Sequence, residues 1–163
     1  TSPCNGANGQ GFYIFMEALD RFRPQYAAQS VGIAQAAYEA AVTHCKERIQ
    51  FGEPIGIFQT NSFKLVDMNL AIEGARYVVY KAAWLCDQGR AFSTEAAGCR
   101  AYAADMVMKV TTEALQIHGG YGLMVESPIH RYFRDAKFFA VMLGTAEICK
   151  LVVARAITGL RIR

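Results

Sequence analysis

The spacing of apolar and polar residues along the chain predicts helices joined by short turns. Between residues 24 and 48 apolar side chains recur at steps of four and three, which places them on one face of a helix. That face consists of Ala27, Val31, Ala34, Tyr38, Ala41 and Cys45. Because small side chains let helices approach closely, we expect this helix in the middle of a bundle. A separate short helix is predicted over residues 12–19, and Arg23-Pro24 marks the first turn of the longer one.

Two further helices carry stronger apolar stripes. The second helix is expected to end at Gly89, and its stripe is Leu65, Met68, Ile72, Ala75, Val79, Ala82 and Cys86. The third is expected to be capped by Ser93 or Thr94, with Glu95 in its first turn, and to stop at Gly119-Gly120. Its predicted buried stripe is Cys99, Ala103, Met106, Val110, Ala114 and Ile117.

The remaining chain is predicted to hold a short segment over 128–135 and a last helix over 146–157, capped by Thr145. Ile148, Val152 and Ala156 are expected to face inward. No convincing β-alternation is present, so the prediction is an all-α four-helix bundle with short up-down connections. We expect this bundle to occupy residues 12–163, after a linker or truncated edge over 1–11 that is rich in glycine.

Composition agrees with one packed domain. Of the 163 residues, 53% are hydrophobic and 19% charged, which is ample for a core. A net charge of +3, not gathered into runs, gives no argument for nucleic acid or membrane partners. No apolar run reaches the roughly 20 residues of a membrane span, and residues 1–4 lack the features of a signal peptide. We therefore expect a cytoplasmic protein, or a mitochondrial matrix protein in a eukaryote.

Cysteine and histidine usage gives no sign of a metal or disulfide framework. The five cysteines are odd in number, widely spaced and contain no Cys-x-x-Cys pair. The three histidines have no ligand spacing. We expect free thiols in a reduced compartment and no metal site.

Polar residues gather at three predicted helix ends. Each group combines glycine, which lets a ligand approach the backbone, with donors suited to phosphate, ribose or amide groups. The groups are Arg48 with Gln59, Gln116 with Gly119-Gly120, and Gly144-Thr145 with Glu147. Singly, each is more typical of an ordinary helix terminus. Together in one small bundle, they indicate a cofactor site.

Six segments then form a recognisable series. They are LDRFRP at 19–24, KERIQFG at 46–52, FQ at 58–59, QIHGGYG at 116–122, RDAK at 134–137 and GTAEI at 144–148. In order and spacing they resemble the C-terminal domain of the acyl-CoA dehydrogenases. The resemblance implies an upstream helical domain and a middle β domain, an FAD shared across a dimer contact, and a dimer or homotetramer. It also implies an acyl-CoA substrate and an electron-transferring flavoprotein as acceptor.

The same resemblance implies two sets of contacts. The residues expected to contact FAD are Arg48, Phe51, Gln59, Gln116, Gly119, Gly120, Thr145 and Glu147. Those expected at the acyl-CoA are Asp20, Arg21, Phe22, Arg23 and Gly144. Within the first set, Arg48 would meet the FAD pyrophosphate of a neighbouring subunit.

The implied reaction removes the α-proton of an acyl thioester while the β-hydrogen leaves as hydride to the flavin. Such a proton is weakly acidic, so the reaction needs a carboxylate base and donors to the thioester oxygen. The family's usual base is a glutamate before the Gly-Thr pair, where this chain has Leu143, and an aromatic often precedes it, where this chain has Met142. A less common base position aligns with Phe22. No catalytic residue is therefore assigned, although the Leu143 N–H could still serve as a donor.

Four explanations of the missing base stay open. In the leading hypothesis the base lies on the absent domains, and in the second Asp20 or Glu17 reaches the site. Alternatively, the protein runs flavin chemistry without an α-proton base, such as desulfination or oxygenation, or is a non-catalytic subunit of a mixed oligomer. A helical bundle used only for assembly is a further alternative.

Overall fold

The computed structural model describes residues 9–162. Within them lie five α-helices, α1 (Gly11–Glu47), α2 (Gln59–Asp87), α3 (Ser93–His118), α4 (Ile129–Val141) and α5 (Ala146–Thr158). An antiparallel hairpin of β1 (Ile49–Gln50) and β2 (Glu53–Pro54) joins α1 to α2, and 3-10 turns cover Ile55–Ile57 and Gly119–Leu123. The all-α bundle is confirmed. Cys4 and most of the predicted linker lie outside the described residues, so the domain boundary stays a prediction.

Helix α3 lies at the centre of the bundle. It packs against all four other helices, whereas α1 packs mainly against α2, α3 and α4. Every residue of the predicted α3 stripe is buried. The central position falls to α3 and not to α1 because α3 is buried on more than one face, with Ala96, Ala97, Ala101 and Ala104 also inside. The small-residue face of α1 packs on α3, as its composition indicates.

The predicted break before Pro24 is wrong. Helix α1 runs unbroken for 37 residues, with Pro24 inside it and buried. Proline removes one backbone N–H from the helix, so the bond to the carbonyl four residues earlier is lost. The turn is held by side chains instead, because Arg23 donates to Asp20 at 2.6 Å. The separate helix over 12–19 therefore belongs to α1.

Helix α2 follows the prediction at its C-terminal end. Gly89 has φ +64°, and its N–H bonds to the Cys86 carbonyl at 3.0 Å, a left-handed helix stop. Of the predicted stripe, the five residues from Met68 to Ala82 are buried. Leu65 and Cys86, at the two ends, are only half-buried.

The start of α3 differs from its prediction. The N-cap position is Phe92, with no side-chain cap, and Glu95 lies in the first turn as expected. Ser93 does not cap the helix because its hydroxyl instead donates to the Asp20 carboxylate of α1. The predicted short segment at 128–135 extends to Val141 as α4.

Helix α5 is capped by Thr145 as predicted, since the Thr145 hydroxyl accepts from the Ile148 N–H at 3.4 Å. Its predicted inward face is wrong in part. Ile148 and Ala156 are exposed, whereas Ala146 and Cys149 are buried. The helix packs against α3 through Cys149, Val152 and Val153, so the prediction for Val152 is confirmed while the contact face is rotated away from Ile148 and Ala156.

Candidate functional site

One end of the bundle brings together the C-termini of α1 and α3 and the start of α2. The imidazole rings of His44 and His118 stack with centroids 4.3 Å apart. The Ile55 N–H donates to the Arg48 carbonyl at 2.8 Å, and Lys64 of α2 pairs with Glu113 of α3. We call the predicted site residues carried by this end the helix-end group. Its members are Arg48, Phe51, Gln59, Gln116, Gly119 and Gly120.

The polar side chains of the helix-end group face solvent. Arg48, Gln59 and Gln116 are exposed. Within residues 9–162 their side chains make no hydrogen bond or ion pair. Gly119 has φ +58°, and a Cβ at Gly119 or Gly120 would meet nothing within 4 Å. A guanidinium, two amides and an open backbone thus share one surface, a donor set suited to a phosphate or nucleotide.

The hairpin before α2 carries an aromatic ring at its tip. Phe51 and Gly52 are its two loop residues, with φ +54° and +85°, the signs required by a type I′ turn. Positive φ is unfavourable for phenylalanine. Phe51 is nevertheless 95% exposed, and its ring meets the Phe58 ring edge-on with the ring centroids 6.1 Å apart. A strained, exposed aromatic is typical of a contact surface.

The histidine pair lies directly beneath this surface. Burial lowers the pKa of His44, and the nearby His118 and Arg48 lower it further, against a smaller opposing effect of Glu47. The His118 Nδ1 lies 2.8 Å from the Ala114 carbonyl, which makes Nδ1 the protonated nitrogen. His44 is therefore held neutral beside the helix-end group at neutral pH.

The other predicted site residues lie on the turn between α4 and α5, which we call the α4–α5 turn, residues 142–145. Leu143 has φ +58° and Gly144 φ +88°, so two consecutive residues are left-handed. Glu147 follows in the first turn of α5. Hydrogen bonds from its own backbone N–H and from the Thr145 hydroxyl lower the pKa of Glu147, which is therefore held as a carboxylate.

The α4–α5 turn does not join the helix-end group. Lys150 of α5 pairs with Asp105 of α3 at 2.8 Å, which locates the start of α5 near the middle of α3. From Asp105 to Gln116 the α3 axis rises about 16 Å. The predicted cofactor residues therefore form two separate groups on one bundle.

The predicted substrate segment is partly committed to internal contacts. Asp20 accepts hydrogen bonds from Arg23 and from Ser93, and Arg23 is buried beside the Cys149 thiol. Arg21 pairs with Glu17 at 3.1 Å on the surface. Phe22 is 47% exposed and open to contact. Asp20 and Glu17 each already pair with an arginine, which weakens both as candidate bases.

Comparison with known proteins decides the family. The family profile for the acyl-CoA dehydrogenase C-terminal domain matches residues 9–158. The chain belongs to the acyl-CoA dehydrogenase family. A short-chain-specific acyl-CoA dehydrogenase of Megasphaera elsdenii is 47% identical over 93% of this chain and 40% of its own length.

Solved structures agree with this assignment. Butyryl-CoA dehydrogenase from Megasphaera elsdenii superimposes with a TM-score of 0.92 at 47% identity, covering 93% of this chain and 40% of that one. A chain from the structure of the electron transferring flavoprotein of Acidaminococcus fermentans superimposes with a TM-score of 0.92 at 46% identity. The match covers 94% of this chain and 40% of that one. This acyl-CoA dehydrogenase domain thus spans about two fifths of the relatives it matches.

Sequence reasoning missed the buried arginine of α3 in this acyl-CoA dehydrogenase domain. Arg100 of α3 is 0% exposed, and its Nη2 donates to the carbonyls of Phe139 and Met142 at the end of α4. The available signal was a single charge within residues 96–104, a run otherwise made of alanine, glycine, cysteine and tyrosine. A charged side chain in such a run is either exposed or hydrogen-bonded to buried acceptors. Arg100 is hydrogen-bonded to buried acceptors.

Two further properties of the domain concern the membrane and the cysteines. No helix among residues 9–162 is long and apolar enough to cross a membrane. The four cysteines in the described part of the chain are free thiols, and burial raises the pKa of Cys99 to about 12.

Proposed function

We propose that the full-length protein is an FAD-dependent acyl-CoA dehydrogenase, and that this domain supplies surfaces for the cofactor and for the substrate thioester. The observation that carries the proposal is the helix-end group, whose three polar side chains are exposed, make no bond to the described part of the chain and accompany an open glycine backbone. Arg48 would bind the pyrophosphate of FAD, with Gln59 and Phe51 beside it. Gln116 and the Gly119-Gly120 backbone would hold the adenosine end.

The α4–α5 turn would bind the thioester of the substrate. The Leu143 N–H makes no backbone hydrogen bond within residues 9–162, so it is available to a thioester oxygen. Thr145 and Glu147 would contact the cofactor, and Phe22 with Gly144 would line the acyl chain. FAD, when bound, would supply the acceptor for the hydride from the substrate β-carbon.

Leu143 and Phe22, at the two aligned base positions, cannot accept a proton. Asp20 and Glu17 each pair with an arginine, which disfavours both as the base. A base must deprotonate the α-carbon, so we assign it to the part of the protein upstream of this domain. The same observation favours a second candidate, a flavoprotein of this fold whose reaction needs no such base, such as a desulfinase or monooxygenase.

Self-association has support from the outer face of α2. Large apolar residues recur there at steps of three, four and seven, each between 53% and 68% exposed. They are Phe63, Val66, Leu70, Tyr77, Tyr80 and Trp84. A stripe of this length on one helix is typical of a contact between subunits. It supports a homo-oligomer, in which Arg48 would reach the FAD of a neighbour, with an electron-transferring flavoprotein as the outside acceptor.

The test uses the full-length protein with its upstream coding sequence. We expect bound FAD and anaerobic bleaching of its absorption by simple acyl-CoAs. Leu143→Glu adds a carboxylate at the usual base position and should create or raise this activity, whereas Leu160→Glu, at an exposed leucine beyond α5, should not. Unchanged activity in Leu143→Glu would show that Leu143 is not at the reacting carbon. Absence of flavin in the wild-type protein would leave only the assembly role.

A further inference from the structure

Arg100 is a buried charge with no carboxylate partner among residues 9–162. Its Nε and Nη1 are buried and have no hydrogen-bond partner in that part of the chain. The other charged group near it is the like-charged Arg23. Burial lowers the pKa of Arg100, which reflects the cost of keeping the guanidinium away from water. An apolar side chain of similar volume would fill this space at lower cost, so packing alone does not account for an arginine here.

What the guanidinium adds is a connection to the end of α4. Its Nη2 bonds the carbonyl of Phe139 and, at 2.6 Å, the carbonyl of Met142, three residues further on. These carbonyls belong to the last turn, where they lack partners within the helix and carry partial negative charge. Arg100 therefore caps α4 from α3, across the interface between the two helices.

The cap is immediately followed by the strained part of the chain. Leu143 and Gly144 are left-handed, and leucine is rarely found at φ +58° unless surrounding contacts impose it. Arg100 fixes the Met142 carbonyl, which belongs to the same peptide unit as the Leu143 N–H. The orientation of that N–H is thus set by the bond to Met142.

We propose that Arg100 is a positioning residue that holds the α4–α5 turn in its left-handed conformation and aims the Leu143 N–H at the substrate oxygen. The role of Arg100 in holding the turn is supported by its hydrogen bonds to Phe139 and Met142. The role in aiming the Leu143 N–H at the substrate rests on the proposed function. Arg100 itself touches neither substrate nor cofactor in this assignment.

The experiment compares Arg100→Met and Arg100→Lys in the full-length holoprotein, with Arg131→Met, an exposed arginine of α4, as the matched control. Amide hydrogen exchange by mass spectrometry follows peptides covering 138–148 and, as a reference, the buried part of α2. For Arg100→Met we expect exchange at 142–146 to rise roughly tenfold or more, since charge-assisted hydrogen bonds are lost, while α2 stays unchanged. Arg100→Lys should restore most of the protection, and Arg131→Met should match the wild type.

Kinetics then separate positioning from general stability. With a simple acyl-CoA as substrate, Arg100→Met should lower kcat and leave KM within about twofold, because only the transition-state donor is misaligned. Wild-type exchange at 142–146 in Arg100→Met, or a uniform rise across all helices, would overturn the proposal.

Two further cases are covered by the same measurements. Should Arg100→Met not fold, Arg100→Gln, which is shorter and uncharged, must still show faster exchange at the turn, and wild-type exchange there would overturn the proposal. Exchange requires neither flavin nor turnover. A wild-type protein without dehydrogenase activity would therefore refute the proposed function and the substrate part, while the exchange data would decide the conformational part.

Discussion

Replacing Phe51 by asparagine tests whether the hairpin tip is built for contact at the expense of stability. Phenylalanine at φ +54° costs about 1–2 kcal/mol relative to an unstrained conformation. Asparagine tolerates left-handed φ, and Asn-Gly is the preferred pair for a type I′ turn. The lost interaction is small because the ring is 95% exposed and its edge contact with Phe58 is worth about 0.5 kcal/mol at such an exposed position. The net gain is about 1 kcal/mol in the free energy of unfolding.

Thermal unfolding of the 163-residue chain, followed by circular dichroism, measures this gain. A change of about 1 kcal/mol corresponds to a rise in Tm of roughly 2–4 °C for a chain of this size. Phe12→Asn, at a 67% exposed phenylalanine in α1, has no such strain to relieve and should give no rise. In the full-length protein, Phe51→Asn should at the same time weaken FAD retention during dilution. A fall in Tm of 2 °C or more would mean that the ring is packed in the bundle and that the reasoning is wrong.

Two other predictions concern stability. Because the pKa of His44 is lowered from 6.5, the unfolded chain binds this proton more tightly, so stability should fall as pH drops below about 6.5. As pH is lowered from about 7.5 to 5, the urea midpoint should decline less steeply in His44→Gln than in the wild type. Equal slopes in the two proteins would contradict a lowered pKa for His44. Ile129→Ala, at a fully buried residue of α4, should cost about 2–5 kcal/mol, against less than about 0.5 kcal/mol for Ile157→Ala at an exposed position. Denaturant titration checks both, and similar costs for the two would refute the burial argument.

The fold was largely predictable where a helix buries a single face. The stripe of α2 repeats without interruption, and its period identifies the five buried residues from Met68 to Ala82. Helix α5 is different because its 13 residues contain apolar side chains on several faces, and the period cannot say which face meets α3. The prediction for α1 was wrong at Pro24 because local sequence rules treat a proline as a helix break. They do not include the packing that stabilises a buried proline inside a long helix.

The candidate site was predictable as a set of residue types but not as an arrangement. Glycine with polar donors at helix ends is visible in the sequence. Which ends meet depends on how the helices are connected in space, and this placed Arg48 with Gln116 but Thr145 elsewhere. Arg100 was missed because a sequence read by periodicity treats any arginine as exposed, whereas its acceptors are main-chain carbonyls that no side-chain pattern reveals.

The unbroken course of α1 also has a genetic consequence. At 1.5 Å per residue, Phe22 in the first half of α1 and Arg48 just after its C-terminus are about 39 Å apart along the helix axis. If both residues contact ligand as proposed, a substitution at each removes a different ligand contact. Two alleles, one altered at each residue, would then complement each other, because a mixed oligomer brings one intact contact from each product to the same ligand.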